Sequence, residues 1–498
     1  MSDLKRFIKS SGIYFLGSIL SKLIAFFMLP IYTKYLSPAE FGEYDLNLAY
    51  MQFFTSFFFL DIYIGIMKFL LDPNLKEIEN YKEKVLFSGF FIFFISTLVY
   101  FLFFYFFMQI YDIKFKNIIL CLGLSLILQS IYGYICRAYG KNSIFVISGV
   151  INSILYAIVS FILLYKFDFG YEALFLGALF GNLVAIFMME CRVKVIKKIK
   201  FALFDFTFFK RLLYYSLPLC LNSLSFWFAA VYGRSVIANK LSYADNGYYT
   251  IALKFAMIIS LVAMCFKLGW QEISFSKDLK KQNNSIFYSR ACNEYLKFML
   301  LSVAVLLPII KIIFPFFINS AFNEALIYIP LTLLGAIVFG FSEFLMSIIN
   351  TINKNKYLFI ATACGATVNI ILLYLFIYKF RVFAVAFSYV ICYSFVCFIM
   401  VLVINKTFKL NIKMLNIMLY LFILLIQSLV MIKCDNYANI ISFIVICLLF
   451  LFFYKNEINI IISNNHISVC FNSFFYQRTN HIQFNPIITI NVHYIFTI

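Results

Sequence analysis

DFTFFKRLLYYSLPLCLNSLSFWFAAVYGRSVIANKLSYADNGYY, residues 205–249, decides the fold because it repeats the opening of the chain. Near the N-terminus an apolar run leads into Leu36-Ser37-Pro38-Ala39-Glu40-Phe41-Gly42-Glu43-Tyr44. Here another leads into Leu241-Ser242-Tyr243-Ala244-Asp245-Asn246-Gly247-Tyr248-Tyr249. Leu, Ser, Ala, an acid, Gly and Tyr recur in one register, 205 positions apart. Lys141-Asn142 follows span four as Lys354-Asn355 follows span ten, and Tyr-Lys-Phe closes spans five (165–167) and eleven (378–380). Two homologous halves of six spans account for these echoes.

With 64% apolar and 13% charged residues and a mean hydropathy of +0.93, the chain is no soluble globule, in which the apolar share is nearer 45–50%. A helix needs about 20 apolar residues to cross hydrocarbon, and such runs recur as far as Tyr454. Fourteen are predicted, near 11–32, 43–70, 85–110, 117–136, 144–165, 171–191, 212–234, 247–268, 288–314, 325–350, 357–378, 382–404, 414–432 and 438–454. The fold class is therefore all-α and polytopic: two homologous six-helix lobes around a central cavity, plus two extra C-terminal helices. The domains are an N-terminal lobe (1–191), a basic linker (192–211), a C-terminal lobe (212–405), two additional spans (406–455) and a tail (456–498). The first apolar run, though preceded by Lys5, Arg6 and Lys9, is longer than a signal-peptide core and has no small-residue cleavage site, so it reads as a retained span.

The formal charge of +19 invites a nucleic-acid partner until the basic residues are placed. With the N-terminus inside, the cytoplasmic segments hold 24 Lys and Arg and the external ones 8. This is the positive-inside asymmetry, so the charge sets orientation and no nucleic acid is implied. The twelve cysteines form no C-x-x-C pair and read as small buried hydrophobes, not metal ligands or disulfides. The three histidines lie 15 and 12 residues apart in the tail and fit no metal template, so no metal is expected. The tail reads as disordered or as a frame-shifted end.

Catalytic signatures are missing. Gly140-Lys141 lacks the spacing of a phosphate-binding loop, H-E-x-x-H and G-x-S-x-G are absent, and residues 1–454 contain no histidine to serve as a general base. No cofactor and no enzymatic activity are expected. The predicted external loops are also too short for the catalytic loop of a membrane glycosyltransferase or polymerase. Duplicated helical halves without such machinery indicate a secondary transporter or flippase.

Polar residues inside spans then become the candidate site, because burying them costs a few kcal/mol. Lys22 shares a face with Ser18 and Ala25 at the middle of span one. Asn47, Asp61 and Lys68 form a stripe in span two, where Asp61 either answers Lys22 or lines the cavity. Span ten carries Ala336, Gly340, Glu343, Ser347 and Asn350 at spacings of 4, 3, 4 and 3. Glu343 replaces a serine of the other half, which suits a proton or cation site or an ion pair with a neighbouring span. Arg234 and Lys254 lie toward the external side, where they either attract a lipid phosphate or sit at the interface. Asn152 and Asn369 are paired by the repeat and suit packing across helices.

The opening FIKSSGIYFLGSILSKLIAFFMLPIYTKYLSPAEFGEYDL (residues 7–46) resembles the N-terminal signature of bacterial polysaccharide flippases of the Wzx type, in the multidrug/oligosaccharidyl-lipid/polysaccharide exporter superfamily. Arg137-Ala138-Tyr139-Gly140-Lys141 resembles the family's second marker. The likeness covers residues 1–405 and the extra span pair. It implies two lobes in a V, in a bacterial inner membrane with the N-terminus cytoplasmic. It also implies an undecaprenyl-diphosphate-linked oligosaccharide as substrate, moved outward for O-antigen or capsule synthesis, with a polysaccharide polymerase and a chain-length regulator as further partners. On this likeness Lys22, Arg234 and Lys254 would meet the diphosphate, and Asp61, Glu343, Asn350 and Ser18 would line the cavity or couple an ion. A multidrug cation antiporter and a lipid II or teichoic-acid flippase share the architecture.

Overall fold

The computed structural model describes residues 17, 19–75, 77–111, 113–199, 204–275, 284–352, 354 and 356–455. The tail at 456–498 and Ser18 lie outside the described residues. All regular structure among the described residues is helical. Twelve helices, from Tyr81–Ile110 to Asn436–Phe453, are long and apolar enough to cross a membrane, and Pro38–Phe59 with Ile62–Leu71 makes a thirteenth, bent span. Of the expected first span only part is described: residues 19–27 are helical and lead into Leu29–Tyr35. The protein is a multi-pass membrane protein.

Consecutive spans run antiparallel, so their connections fall on two faces. The linker face carries residues 194–199 and 204–205; the motif face carries Leu36-Ser37 and Leu241-Ser242. The repeated sequence has a direct local cause, which is helix capping. Ser37 Oγ accepts from the Glu40 amide at 3.3 Å while the Ser37 amide donates to Glu40 at 2.8 Å. Ser242 Oγ accepts from the Asp245 amide at 3.0 Å and donates to Asp245 Oδ2 at 2.7 Å. The first is a full capping box, satisfying two amides that a helix start leaves open; the second caps one, the Asp245 amide.

These two starts also meet each other. A Cβ on Gly42 would lie 1.8 Å from the Tyr243 carbonyl oxygen, and one on Gly247 would lie 2.0 Å from that of Pro38. Backbone therefore touches backbone across the halves, reciprocally, and only glycine fits. Asn246 Nδ2 donates to the Gly42 carbonyl at 2.7 Å, completing the seam. The second echo is also a turn: the Lys141 amide donates to Cys136 O at 2.9 Å and the Lys354 amide to Ile349 O at 3.1 Å. Both close the C-terminus of a span by reaching five residues back, with Gly140 left-handed at φ 70° in the first.

Two spans depart from the sequence expectation. Span two breaks at Leu60 and Asp61, both left-handed, and bends by 45°, so Asn47, Asp61 and Lys68 do not form one stripe. Span seven starts earlier than residue 212, at Phe206, because Asp205 accepts from the Thr207 amide at 2.8 Å and caps it. It continues past Val231 as Tyr232–Lys240. The last two spans, Met414–Lys433 and Asn436–Phe453, pack against span nine, Asn284–Phe317, and are tied together by Gln427 to Ser442 at 2.9 Å.

A methyl group at the glycine seam has no room, so Gly42→Ala and Gly247→Ala each cost about 1–3 kcal/mol of stability. Gly149→Ala, which meets open space, costs little. Thermal unfolding of the detergent-solubilised chain separates the three, and a Gly42→Ala curve overlying that of Gly149→Ala would refute the seam.

Candidate functional site

Of the two acids singled out in the sequence, Glu343 lines a small cavity and Asp61, from the other half, is bonded to Ser223 in its wall. Asp61 is buried and accepts from Tyr63 at 2.8 Å and from Ser223 at 2.5 Å. Ser223 in turn lines a cavity of about 160 Å³ with Asn222, Phe226, Phe339, Glu343 and Tyr393. Glu343 is paired with Lys267 of span eight, a residue the sequence did not single out. The ion-pair account of Glu343 is thus the one its geometry fits. Ala336 and Ser347 of the same stripe are buried and Gly340 abuts Tyr295 and Ala263, so that face packs. Asn350 sits in the last turn of that helix.

The three cations expected to meet a phosphate stand at two levels. Arg234 donates to Asp45 Oδ1 at 3.1 Å across the halves, and Lys254 lies within electrostatic reach of both. Asp45 escaped the sequence analysis because it follows the capping motif and looked like part of it. Lys22 lies near Cys265 of span eight, and Asp61 is bonded by Tyr63 and Ser223. Cys265 and Lys254 are eleven residues apart on span eight, which at about 1.5 Å and 100° per residue puts them on one face, roughly 16 Å apart along the axis. One helix face therefore presents both levels.

Other candidates are structural in place. Asn152 Nδ2 donates to Asn182 Oδ1 at 3.0 Å, and Asn369 Nδ2 to Phe228 O at 3.0 Å, each joining neighbouring spans. Lys68 rests over the Tyr215 ring at 3.8 Å. Beside it an apolar cleft of about 970 Å³ runs along span seven, lined by Leu60, Phe69, Tyr214, Leu217 and Pro218, with Lys210 and Arg211 at its linker-face end.

With this geometry in hand, comparison with known proteins is informative. A family model described as "Polysaccharide biosynthesis protein" matches residues 7–267, just over half of the chain. The chain belongs to this polysaccharide biosynthesis family. No curated protein is significantly similar in sequence. Among solved structures, the lipid II flippase MurJ in an inward closed conformation matches at a TM-score of 0.68 and 20% identity, over 91% of this chain and 100% of that one. An inward-facing multidrug resistance transporter of the MATE family and MOP superfamily matches at 0.64 and 13% identity, over 78% and 95%. An outward-facing MATE transporter matches at 0.53 and 14% identity, over 81% and 96%. This member of the polysaccharide biosynthesis family thus shares the fold of these transporters.

Glu343→Gln leaves Lys267 without its carboxylate and should cost about 1–3 kcal/mol. The double variant Glu343→Gln, Lys267→Met should recover most of that loss. Melting temperatures of wild type, Glu343→Gln, Lys267→Met and the double variant form the cycle; a double loss equal to the sum of the two single losses would show that the pair carries no coupling.

Proposed function

We propose that this protein translocates an undecaprenyl-diphosphate-linked oligosaccharide repeat unit from the cytoplasmic to the periplasmic leaflet, for O-antigen or capsular polysaccharide synthesis. The observation that carries the proposal is the pair of cationic levels, Lys22 and then Arg234 with Lys254, on or facing one side of span eight between the halves. A diphosphate cannot enter hydrocarbon bare; cations in a wet cleft replace the water it loses. The excess of Lys and Arg on the linker face supports a cytoplasmic orientation for it, with the Lys22 level nearer the side where such lipids are made. The units that move are the lobes 1–191 and 212–405, rocking about the linker 192–211, with 406–455 carried on the second lobe. The prenyl tail stays in an apolar environment throughout, and the cleft lined by Leu217 and Tyr214 suits it. Glu343 at the small cavity, and Asp61 bonded to Ser223 in its wall, are the groups through which an ion gradient would couple.

Deletion of the gene should remove surface polysaccharide and leave lipid-linked repeat units in the inner leaflet, and residues 1–456 should restore both. In the same assay Lys22→Ala should abolish output at normal protein level and Lys22→Arg retain part of it. Unchanged polysaccharide with altered drug tolerance would instead identify a multidrug antiporter, and arrested cell-wall synthesis a lipid II flippase. Wild-type output from Lys22→Ala would remove that residue from the path.

A further inference from the structure

Asp45 is 4% exposed and contacts Arg234 from the opposite half. Its second oxygen, Oδ2, and Arg234 Nε are both buried without a hydrogen-bond partner among the described residues. Lys254 adds a second cation within reach of the same carboxylate. Arg234 is thus paired with Asp45 while Lys254 lies within electrostatic reach, and bonding capacity is left over on Asp45 Oδ2 and Arg234 Nε. The fold does not require this cluster. In the 205-residue register of the repeat, Asp45, Arg234 and Lys254 correspond to Thr250, Leu29 and Ala49, none of them charged.

The cluster lies beneath the motif-face seam. Next to it, Tyr50 bonds Ser235 at 3.0 Å and Asn239 at 2.9 Å, and Trp227 Nε1 donates to the Ala49 carbonyl at 2.9 Å, all across the halves. We infer that Asp45 is an internal stand-in for the substrate's phosphate: it holds the motif face shut by occupying Arg234 and Lys254 until a diphosphate displaces it. This rests on the lipid-diphosphate function proposed above. A diphosphate arriving from the Lys22 level offers the two cations more negative charge than one carboxylate can. Asp45, once displaced, is a buried charge without a partner, a state that is strongly unfavourable. Parting of the halves at the motif face hydrates it. The substrate then binds the motif-open state better than the closed one, which is the differential affinity that a ligand-driven change requires.

The seam contains its own reporter. The chain has two tryptophans, so Trp270→Phe leaves Trp227 alone to fluoresce. In full-length protein in nanodiscs, Trp227 emission should be blue-shifted without ligand, and farnesyl diphosphate should move it to the red while farnesol does not. Asp45→Asn should be red-shifted from the start and insensitive to ligand. The double variant Asp45→Asn, Arg234→Gln, which removes the ion pair whole, should give the same spectrum and guards against misfolding of the single. Lys254→Gln should stay blue and need about tenfold more farnesyl diphosphate to respond, the equivalent of about 1.4 kcal/mol. Farnesyl diphosphate that stabilises the wild type thermally but leaves its emission unmoved would overturn the role of Asp45 and spare the proposed function. A blue-shifted Asp45→Asn would overturn it too. Failure of farnesyl diphosphate to bind at all would overturn both.

Discussion

Everything in this architecture depends on one steric fact: the backbones of Pro38 and Tyr243 approach Gly247 and Gly42 so closely that no side chain can stand between them. The contact is reciprocal because the two segments are copies of each other. Duplication of a six-helix unit thus supplied both the spans and the means of joining them. Side-chain caps at Ser37 and Ser242 stiffen the helix starts that meet, so the closest approach falls at capped backbone. Charged neighbours reinforce the seam, with Arg381 donating to both oxygens of Asp245 at 3.3 and 3.0 Å.

Much of this was legible in the sequence because its causes are local. Apolar run length gives spans, and the ends of most spans fall within a few residues of those expected. The motif 36–44 and its copy are N-terminal caps, and Lys141 and Lys354 close helix ends, which is why these residues recur while most of the intervening sequence has drifted. The repeat even predicted glycine at both contact points, although not that the two glycines face each other. Nothing in a one-dimensional pattern tells which copies touch.

What was hidden is what depends on partners from distant spans. Asp45 looked like part of a motif; Lys267 lay at the edge of an apolar run; each becomes interpretable only when Arg234 and Glu343 are seen beside it. The break at Leu60 and Asp61 carries no Pro or Gly, so no residue announced it. Leu60 and Asp61 hold left-handed backbone that costs roughly 1–3 kcal/mol each, and the buried bonds from Tyr63 and Ser223 to Asp61 help to offset it. The sequence signal that did exist was an acid in the middle of a span.

That break divides the loads on span two. Its longer segment, Pro38–Phe59, is clamped to span eight by the glycine seam, whereas Ile62–Leu71 lies against span seven, with Gly65 facing Ser216 and Leu212. A straight rod fixed at both ends to the opposite half would act as a brace, and the halves could separate on neither side without tearing it away. With a joint between the two clamps, either end can let go while the other stays seated. The molecule thereby gains two independent latches from a single helix.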